Sequence, residues 1–225
     1  MSEAKVYVVD GARTPFLKAR NEPGPFSAAD LAVAAGRPLL ARMPFAPGAI
    51  DELILGCVIP APDEANIARI VSLRLGCGKH VPAETVQRNC ASGLQAIASA
   101  YERIALGQSH LVLAGGTEAM SRAPIQWNTA MTAWLAGVMR ARSMPARLKA
   151  IARFRPAHLQ PVYALLLGLT DPLVKLSMGQ TAEILAHRFG IPRDAQDAFA
   201  LQSHQRLAAA FDSGAVSDEV EPLYD

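Results

Sequence analysis

Cys90 is the residue whose type and setting best suit covalent chemistry. It lies in Val86-Gln87-Arg88-Asn89-Cys90-Ala91-Ser92-Gly93-Leu94-Gln95-Ala96-Ile97, which reads as a strand end, a sharp entry and a helix. Leu94, Ile97, Ala98, Tyr101 and Ala105 recur at helical spacing and predict an apolar stripe along residues 91–106. Asn89 has the side chain of an N-cap. Cys90 would then fall in the first turn, where backbone N–H groups lack helical partners and the helix dipole is positive. A thiolate is stabilised there and its nucleophilic fraction rises. Gly93 would let another backbone or a ligand approach closely. The same placement also suits a buried packing cysteine, a common fate of free thiols.

The other candidate groups read as structural. Cys57 follows an apolar run and Cys77 sits in the Gly76–Gly78 turn. Three cysteines without metal-ligand spacing fit a reducing compartment and one reactive thiol better than a disulfide framework. His80, His110, His158 and His187 have no cysteine or carboxylate at metal-ligand spacing, and His204 reads as a helix-face histidine, so no metal site is expected.

The elements that must position Cys90 follow from periodicity. Lys5–Val9 is rich in β-branched residues and predicts a first strand. Ser27 is placed to cap a helix over 28–41, with Asp30 in its first turn and Pro38 set to kink it or end it early. The run from Ile50 to Val58 is nearly all apolar, as in a strand buried on both faces. A helix over roughly 64–75, a strand near Thr85–Arg88, a helix ending near Gly107 and a strand at Leu111–Ala114 follow. This alternation predicts a layered α/β domain with a mostly parallel sheet, whose sites lie beyond the carboxyl ends of its strands. Cys90 falls at that edge.

Two stretches resemble the thiolase family. They are Val86–Ile97, above, and Leu113-Ala114-Gly115-Gly116-Thr117-Glu118-Ala119-Met120-Ser121-Arg122-Ala123-Pro124. The resemblance runs from Val6 to Pro222 and covers about the first half of a typical thiolase. It implies a thiolase-like layered fold, N-terminal half, with a core over 1–119 and an inserted loop domain over 120–225. Gln126–Thr170, with Gly168-Leu169-Thr170-Asp171-Pro172-Leu173, looks most like the thiolase subunit of multienzyme fatty-acid oxidation complexes. Met120–Pro124 and Ser177–Glu183 speak against a condensing ketoacyl synthase.

The resemblance implies an acyltransferase that cleaves 3-ketoacyl-coenzyme A with coenzyme A, in fatty-acid β-oxidation, through an acyl-Cys90. Coenzyme A is then a substrate, with no permanently bound cofactor. Met178 resembles the segment reaching the substrate pocket. Ser177 stands where the short-chain biosynthetic type commonly has histidine, which favours a longer acyl chain over acetoacetyl-coenzyme A. The family's glycine-histidine-proline and later cysteine-glycine-glycine motifs have no counterpart here. The 225 residues alone are therefore expected to be inactive. They read as a piece of a longer enzyme, a natural half completed by another chain, or a remnant used only in binding or assembly. The biosynthetic thiolase remains the alternative enzyme. The family further implies a homodimer or homotetramer and a possible hydratase/dehydrogenase partner.

Charge patterning adds one region. No acidic residue occurs from Ala119 to Thr170, yet Arg122, Arg140, Arg142, Arg147, Lys149, Arg153 and Arg155 fall there. A solvated basic face, coenzyme A phosphates, an acidic partner and an anionic membrane surface all fit this pattern. The overall charge of +2 is too small to argue for nucleic acid. No signal-peptide pattern or membrane-length apolar run is seen, so the expected location is cytoplasmic.

Ser177 and Gln180 predict a capping box opening a helix to about Phe189. Pro192 opens a longer helix to about Phe211, with Leu201, His204, Leu207, Ala208 and Phe211 on one face.

Overall fold

The computed structural model describes residues 5–19 and 22–224. The chain divides into two compact units, Met1–Arg122 with Pro192–Asp225, and Ala123–Ile191. The sequence set one boundary at 119/120 and carried the second part to residue 225. The contacts instead group residues 192–225 with the first unit.

The first unit is built on a parallel sheet of three strands, β1 (Glu52–Gly56), β2 (Ala83–Val86) and β3 (Val112–Gly116), in the order β2-β1-β3. Gly56 is in register with Val86 on one side and Gly116 on the other, so all three strands end together. Every residue of β1 is buried, which explains the apolar run that follows Glu52. Leu53 and Leu55 face a core formed with α1 (Ala28–Ala41) and α2 (Ile67–Arg74), through Val33, Leu40, Ile67 and Val71. Ile54 faces the other way, onto Ala96 and Ala100 of α3 (Ser92–Ala105). Helices therefore cover both faces of a parallel sheet, as expected.

Local signals explain the helix ends. The Ser27 hydroxyl accepts from the Asp30 N–H while the Asp30 carboxylate accepts from the Ser27 N–H, a reciprocal capping box. Pro38 does not end α1, which continues to Ala41. Proline removes one intrahelical bond, and less than one turn remains beyond it. Asn66 caps α2 by accepting from the Arg69 N–H. Gly107 ends α3 in a left-handed conformation, φ 71°.

One expectation fails, and one predicted stripe lies on the outer face of its helix. Lys5–Val9 forms no strand, and Tyr7, Val8 and Val9 are exposed. Their β propensity is real, but a strand needs a ladder, and no strand among the described residues pairs with them. On α3 the predicted apolar stripe faces outward, with Leu94 69% and Tyr101 50% exposed. Its buried face is the small-residue row Ser92, Ala96 and Ala100. The sheet surface there ends in glycines, and only small side chains let the helix approach so closely.

α8 (Arg193–Asp212) belongs to the first unit, and its predicted face, including Leu201, Leu207 and Phe211, is exposed. The segment after it is tied to the chain's start. The Arg13 N–H donates to the Glu219 carbonyl at 2.7 Å, and the Glu221 N–H donates to the Arg13 carbonyl at 2.8 Å. Arg42 bridges the carboxylates of Asp10 and Glu221 at 2.7 and 2.6 Å.

The second unit pairs β4 (Ile125–Trp127) antiparallel with β5 (Pro161–Tyr163). Between them lie α4 (Thr129–Arg140) and α5 (Met144–Ile151). Asn128 fastens this excursion. Its Oδ1 accepts from the Met131 N–H at 2.8 Å, capping α4, while its Nδ2 donates to the carbonyls of Ala157 and Gln160 at 2.8 and 2.9 Å. A short α6 (Ala164–Gly168) and then α7 (Met178–Arg188) complete the unit. The predicted Ser177–Gln180 capping box is present. Among the described residues, no helix is long and apolar enough to cross a membrane.

Candidate active site

Cys90 is exposed, whereas Cys57 and Cys77 are buried. It stands on the turn joining the end of β2 to the start of α3, beyond the carboxyl edge of the sheet. The turn differs from the sequence reading. Asn89 is not the N-cap. It adopts the left-handed conformation, φ 49°, and Ala91 occupies the cap position with no side-chain bond. Cys90 therefore sits just before the helix instead of in its first turn.

The reason lies in Ser92, which sequence reasoning did not single out. Its buried hydroxyl accepts from the Arg88 N–H at 2.8 Å and donates to the Asn89 carbonyl at 2.6 Å. Backbone bonds from Ala91 to Arg88 and from Ser92 to Asn89, at 3.1 and 3.0 Å, tighten the same loop. Asparagine tolerates the left-handed region better than most residues, which is the signal that was available. Arg88 extends over the first turn, and its Nη1 donates to Gln95 Oε1 at 2.9 Å.

Glycines bring α3 to the sheet. A Cβ at Gly56 would lie 2.4 Å from the Ser92 carbonyl carbon, and one at Gly116 would lie 3.1 Å from the Gly93 Cα. The strand ends and the helix start thus meet backbone to backbone, which fixes the height of the Cys90 turn above the sheet. Gly93 makes the close approach expected of it, and its neighbours are the sheet glycines.

Glu118 organises the adjoining loop. Its carboxylate accepts from the Val58 N–H at 2.8 Å and the Ile59 N–H at 3.3 Å, and Cys57 Sγ lies 3.8 Å away. Burial, reinforced by the Glu118 charge, pushes the Cys57 thiol up to about 12. Burial also raises Cys77 above the ordinary thiol range. Both remain protonated at neutral pH and serve packing, as their sequence settings suggested. Thr117 ties β3 to α1 through its hydroxyl, which donates to the Ala28 carbonyl at 2.7 Å.

His80 and His110 precede β2 and β3, at the opposite end of the sheet from Cys90. Strands of four and five residues separate the two ends by roughly 13–16 Å, too far for proton transfer. His158 stacks with Trp134 and accepts from the Arg155 N–H at Nδ1 in the second unit. Met178 opens α7 there, partly exposed. Among the described residues, no group of three or more His, Cys, Asp or Glu side chains is placed to hold a metal ion.

Comparison with known proteins gives this arrangement a family. The model of the thiolase N-terminal domain matches residues 6–224. The 3-ketoacyl-CoA thiolase of Yersinia enterocolitica is 38% identical over 220 residues, covering 98% of this chain and 50% of that protein. The crystal structure of the Bacillus anthracis acetyl-CoA acetyltransferase is similar, with a TM-score of 0.76 and 32% identity, covering 96% of this chain and 49% of that one. The human mitochondrial 3-ketoacyl-CoA thiolase, solved in complex with CoA, has a TM-score of 0.76 and 34% identity, covering 94% and 49%. The chain spans about half the length of the relatives it matches, and over that half it belongs to the thiolase family as an N-terminal domain.

Proposed function

We propose that Cys90 is the acyl-accepting nucleophile of a thiolase that cleaves 3-ketoacyl-coenzyme A. The observation that carries this reading is the contrast among the three cysteines. Cys57 and Cys77 are buried, while Cys90 is presented on a tight strand–turn–helix at the sheet's carboxyl edge. In the proposed reaction the Cys90 thiolate attacks the 3-keto carbon. The C2–C3 bond breaks, and its electron pair leaves as the enolate of acetyl-coenzyme A, which takes up a proton. The shortened acyl group stays on sulfur. The thiol of a second coenzyme A loses its proton, attacks that thioester and returns Cys90 as thiolate. The Cys90 backbone N–H contributes to the oxyanion site.

The acid and base for these proton transfers belong to the part of the longer relatives that this chain does not cover. The distance of His80 and His110 from Cys90 supports that division. Coenzyme A is the substrate in this reading, and the CoA-bound human relative supports it. Met178, at the start of α7, borders the acyl pocket. Ser177 spends its hydroxyl on capping α7, which suits the degradative, longer-chain reading over the acetoacetyl one. The protein works in a reducing cytoplasm as a homodimer or homotetramer. Its partner is a hydratase/dehydrogenase subunit of a fatty-acid oxidation complex.

The test uses the protein at its native length. Incubation with a 3-ketoacyl-coenzyme A, without free coenzyme A, is expected to leave one acyl group on the Cys90 peptide by mass spectrometry. Cys90→Ala is expected to abolish both adduct and turnover. An adduct on another residue, or turnover surviving Cys90→Ala, would overturn the assignment.

A further inference from the structure

We propose that Asp171 is the positioning residue for Met178 and, through it, a determinant of acyl-chain length. The proposal rests on the reading that Met178 borders the acyl pocket, and it concerns what holds Met178 in place. The segment joining α6 to α7 closes on itself. Thr170 and Ser177 form an antiparallel bridge, and the Asp171 N–H donates to the Leu176 carbonyl at 2.9 Å. At the neck of this loop the Met178 N–H donates to the Leu169 carbonyl at 3.1 Å. Met178 is the first residue of α7, so its N–H has no acceptor within the helix. The neck supplies that acceptor, and the start of α7 hangs from the loop.

The tip of the loop does not hold this shape by packing, because Leu173 is 89% and Val174 61% exposed. Lys175 also takes the left-handed conformation, φ 58°, which is unfavourable for a residue with a Cβ. The Asp171 carboxylate offsets both. A single oxygen, Oδ1, accepts from the Leu173 N–H at 2.7 Å and from the Val174 N–H at 3.0 Å. The Lys175 N–H donates to the Asp171 carbonyl at 3.0 Å and completes the turn. The Val174 and Leu173 N–H groups in turn hold the carboxyl below the usual carboxylate range. Because both side-chain bonds end on one oxygen, the requirement is geometric. An amide oxygen at that place serves as well, and a carboxylate set one carbon farther out does not. α7 has its own capping box, Ser177 with Gln180, so loosening the turn moves the start of the helix without melting it.

The test measures thiolysis of acetoacetyl-coenzyme A and 3-ketodecanoyl-coenzyme A by the native-length protein. The acetoacetyl group carries only a methyl beyond the keto carbon and gives Met178 little to touch. Asp171→Ala should raise KM for the longer substrate roughly tenfold, the lower end of what one methylene contributes in an apolar pocket, with kcat and the acetoacetyl constants nearly unchanged. Asp171→Asn should restore the parent's ratio of the two KM values. Asp171→Glu should behave as the alanine variant and replaces it if that variant fails to fold. Met178→Ala should shift the same ratio, and Asp171→Ala should add nothing in that background. A merely structural role would lower kcat for both substrates alike and leave KM unmoved, which would overturn the proposal. So would failure of asparagine to rescue, or additive effects of Asp171→Ala and Met178→Ala. A ratio that moves in Met178→Ala but not in Asp171→Ala overturns the positioning role alone. A ratio unmoved in Met178→Ala overturns the pocket reading and the proposal with it.

Discussion

Replacing Gly56 by alanine tests whether backbone contact between β1 and α3 sets the position of the Cys90 turn. The added Cβ would lie 2.4 Å from the Ser92 carbonyl carbon, 2.5 Å from its oxygen and 2.6 Å from the Gly93 nitrogen. Ordinary contact needs about 3.5 Å, so the start of α3 must retreat by about 1 Å. The obstacle is backbone, and no side chain can rotate away to relieve it. Overpacking of this kind costs about 1–3 kcal/mol, and a chain of this size loses about 2–4 °C of melting temperature per kcal/mol. The expected loss is therefore about 2–12 °C by thermal unfolding. Gly116→Ala meets the Gly93 Cα at 3.1 Å, needs only a few tenths of an ångström, and should fall between Gly56→Ala and the parent. Gly11→Ala, with nothing within 4 Å, is the control and should leave the melting temperature unchanged. The retreat also carries the Ser92 clamp and so shifts Cys90. In the native-length protein, a misplacement of about 1 Å should lower turnover on the order of a hundredfold. If Gly56→Ala melts with the parent and alkylates at Cys90 at the parent rate, the glycine contact does not hold the turn.

Three further outcomes follow from the same edge of the sheet. Ser92→Ala removes the acceptor of the Arg88 N–H and the donor to the Asn89 carbonyl, for an expected loss of about 1–3 kcal/mol in urea unfolding and faster hydrogen exchange at the Arg88 amide. At Asn89, φ 49° predicts that Asn89→Gly is tolerated while Asn89→Val loses about 1–2 kcal/mol or more, measured the same way. Cys57 gives a pH dependence. Its folded-state value, about 12, lies above the ordinary 9.0, so its contribution is whole below about pH 9 and is lost as pH rises toward 12. Urea midpoints of Cys57→Ala should fall less steeply across that alkaline window than those of the parent.

The local signals in this sequence are strong where a few neighbouring residues decide the structure. Ser27 with Asp30 and Ser177 with Gln180 announce two helix starts, because each capping box closes within four residues. The burial of β1 on both faces is equally plain from its nearly continuous apolar run. The turn that carries Cys90 was less legible. Its conformation depends on a hydroxyl that follows the cysteine and on glycines in two other strands, so Asn89 read as a cap when it is the left-handed residue. Its place at the carboxyl edge was nonetheless recoverable, since that requires only the order of strand and helix. The second unit's limits were harder still, because the return of residues 192–225 rests on Arg13 and Arg42 meeting Glu219 and Glu221, 206 and 179 residues away.

The outward-facing stripe of α3 shows what periodicity measures. Leu94, Ile97 and Tyr101 do form one stripe, and the spacing that predicted it is correct. Spacing establishes that a face is apolar; it does not say which surface covers it. Here the sheet selects the opposite face, because Gly56 and Gly116 bring the backbones so close that only Ser92, Ala96 and Ala100 fit. The size of a side chain, more than its hydrophobicity, decides which face of α3 meets the sheet. The same choice serves the site. A helix seated on bulky residues would stand farther from the strand ends and carry its first turn away with it. Small residues seat α3 low on the sheet, and the short β2–α3 turn then has no slack, which leaves Cys90 exposed at the edge.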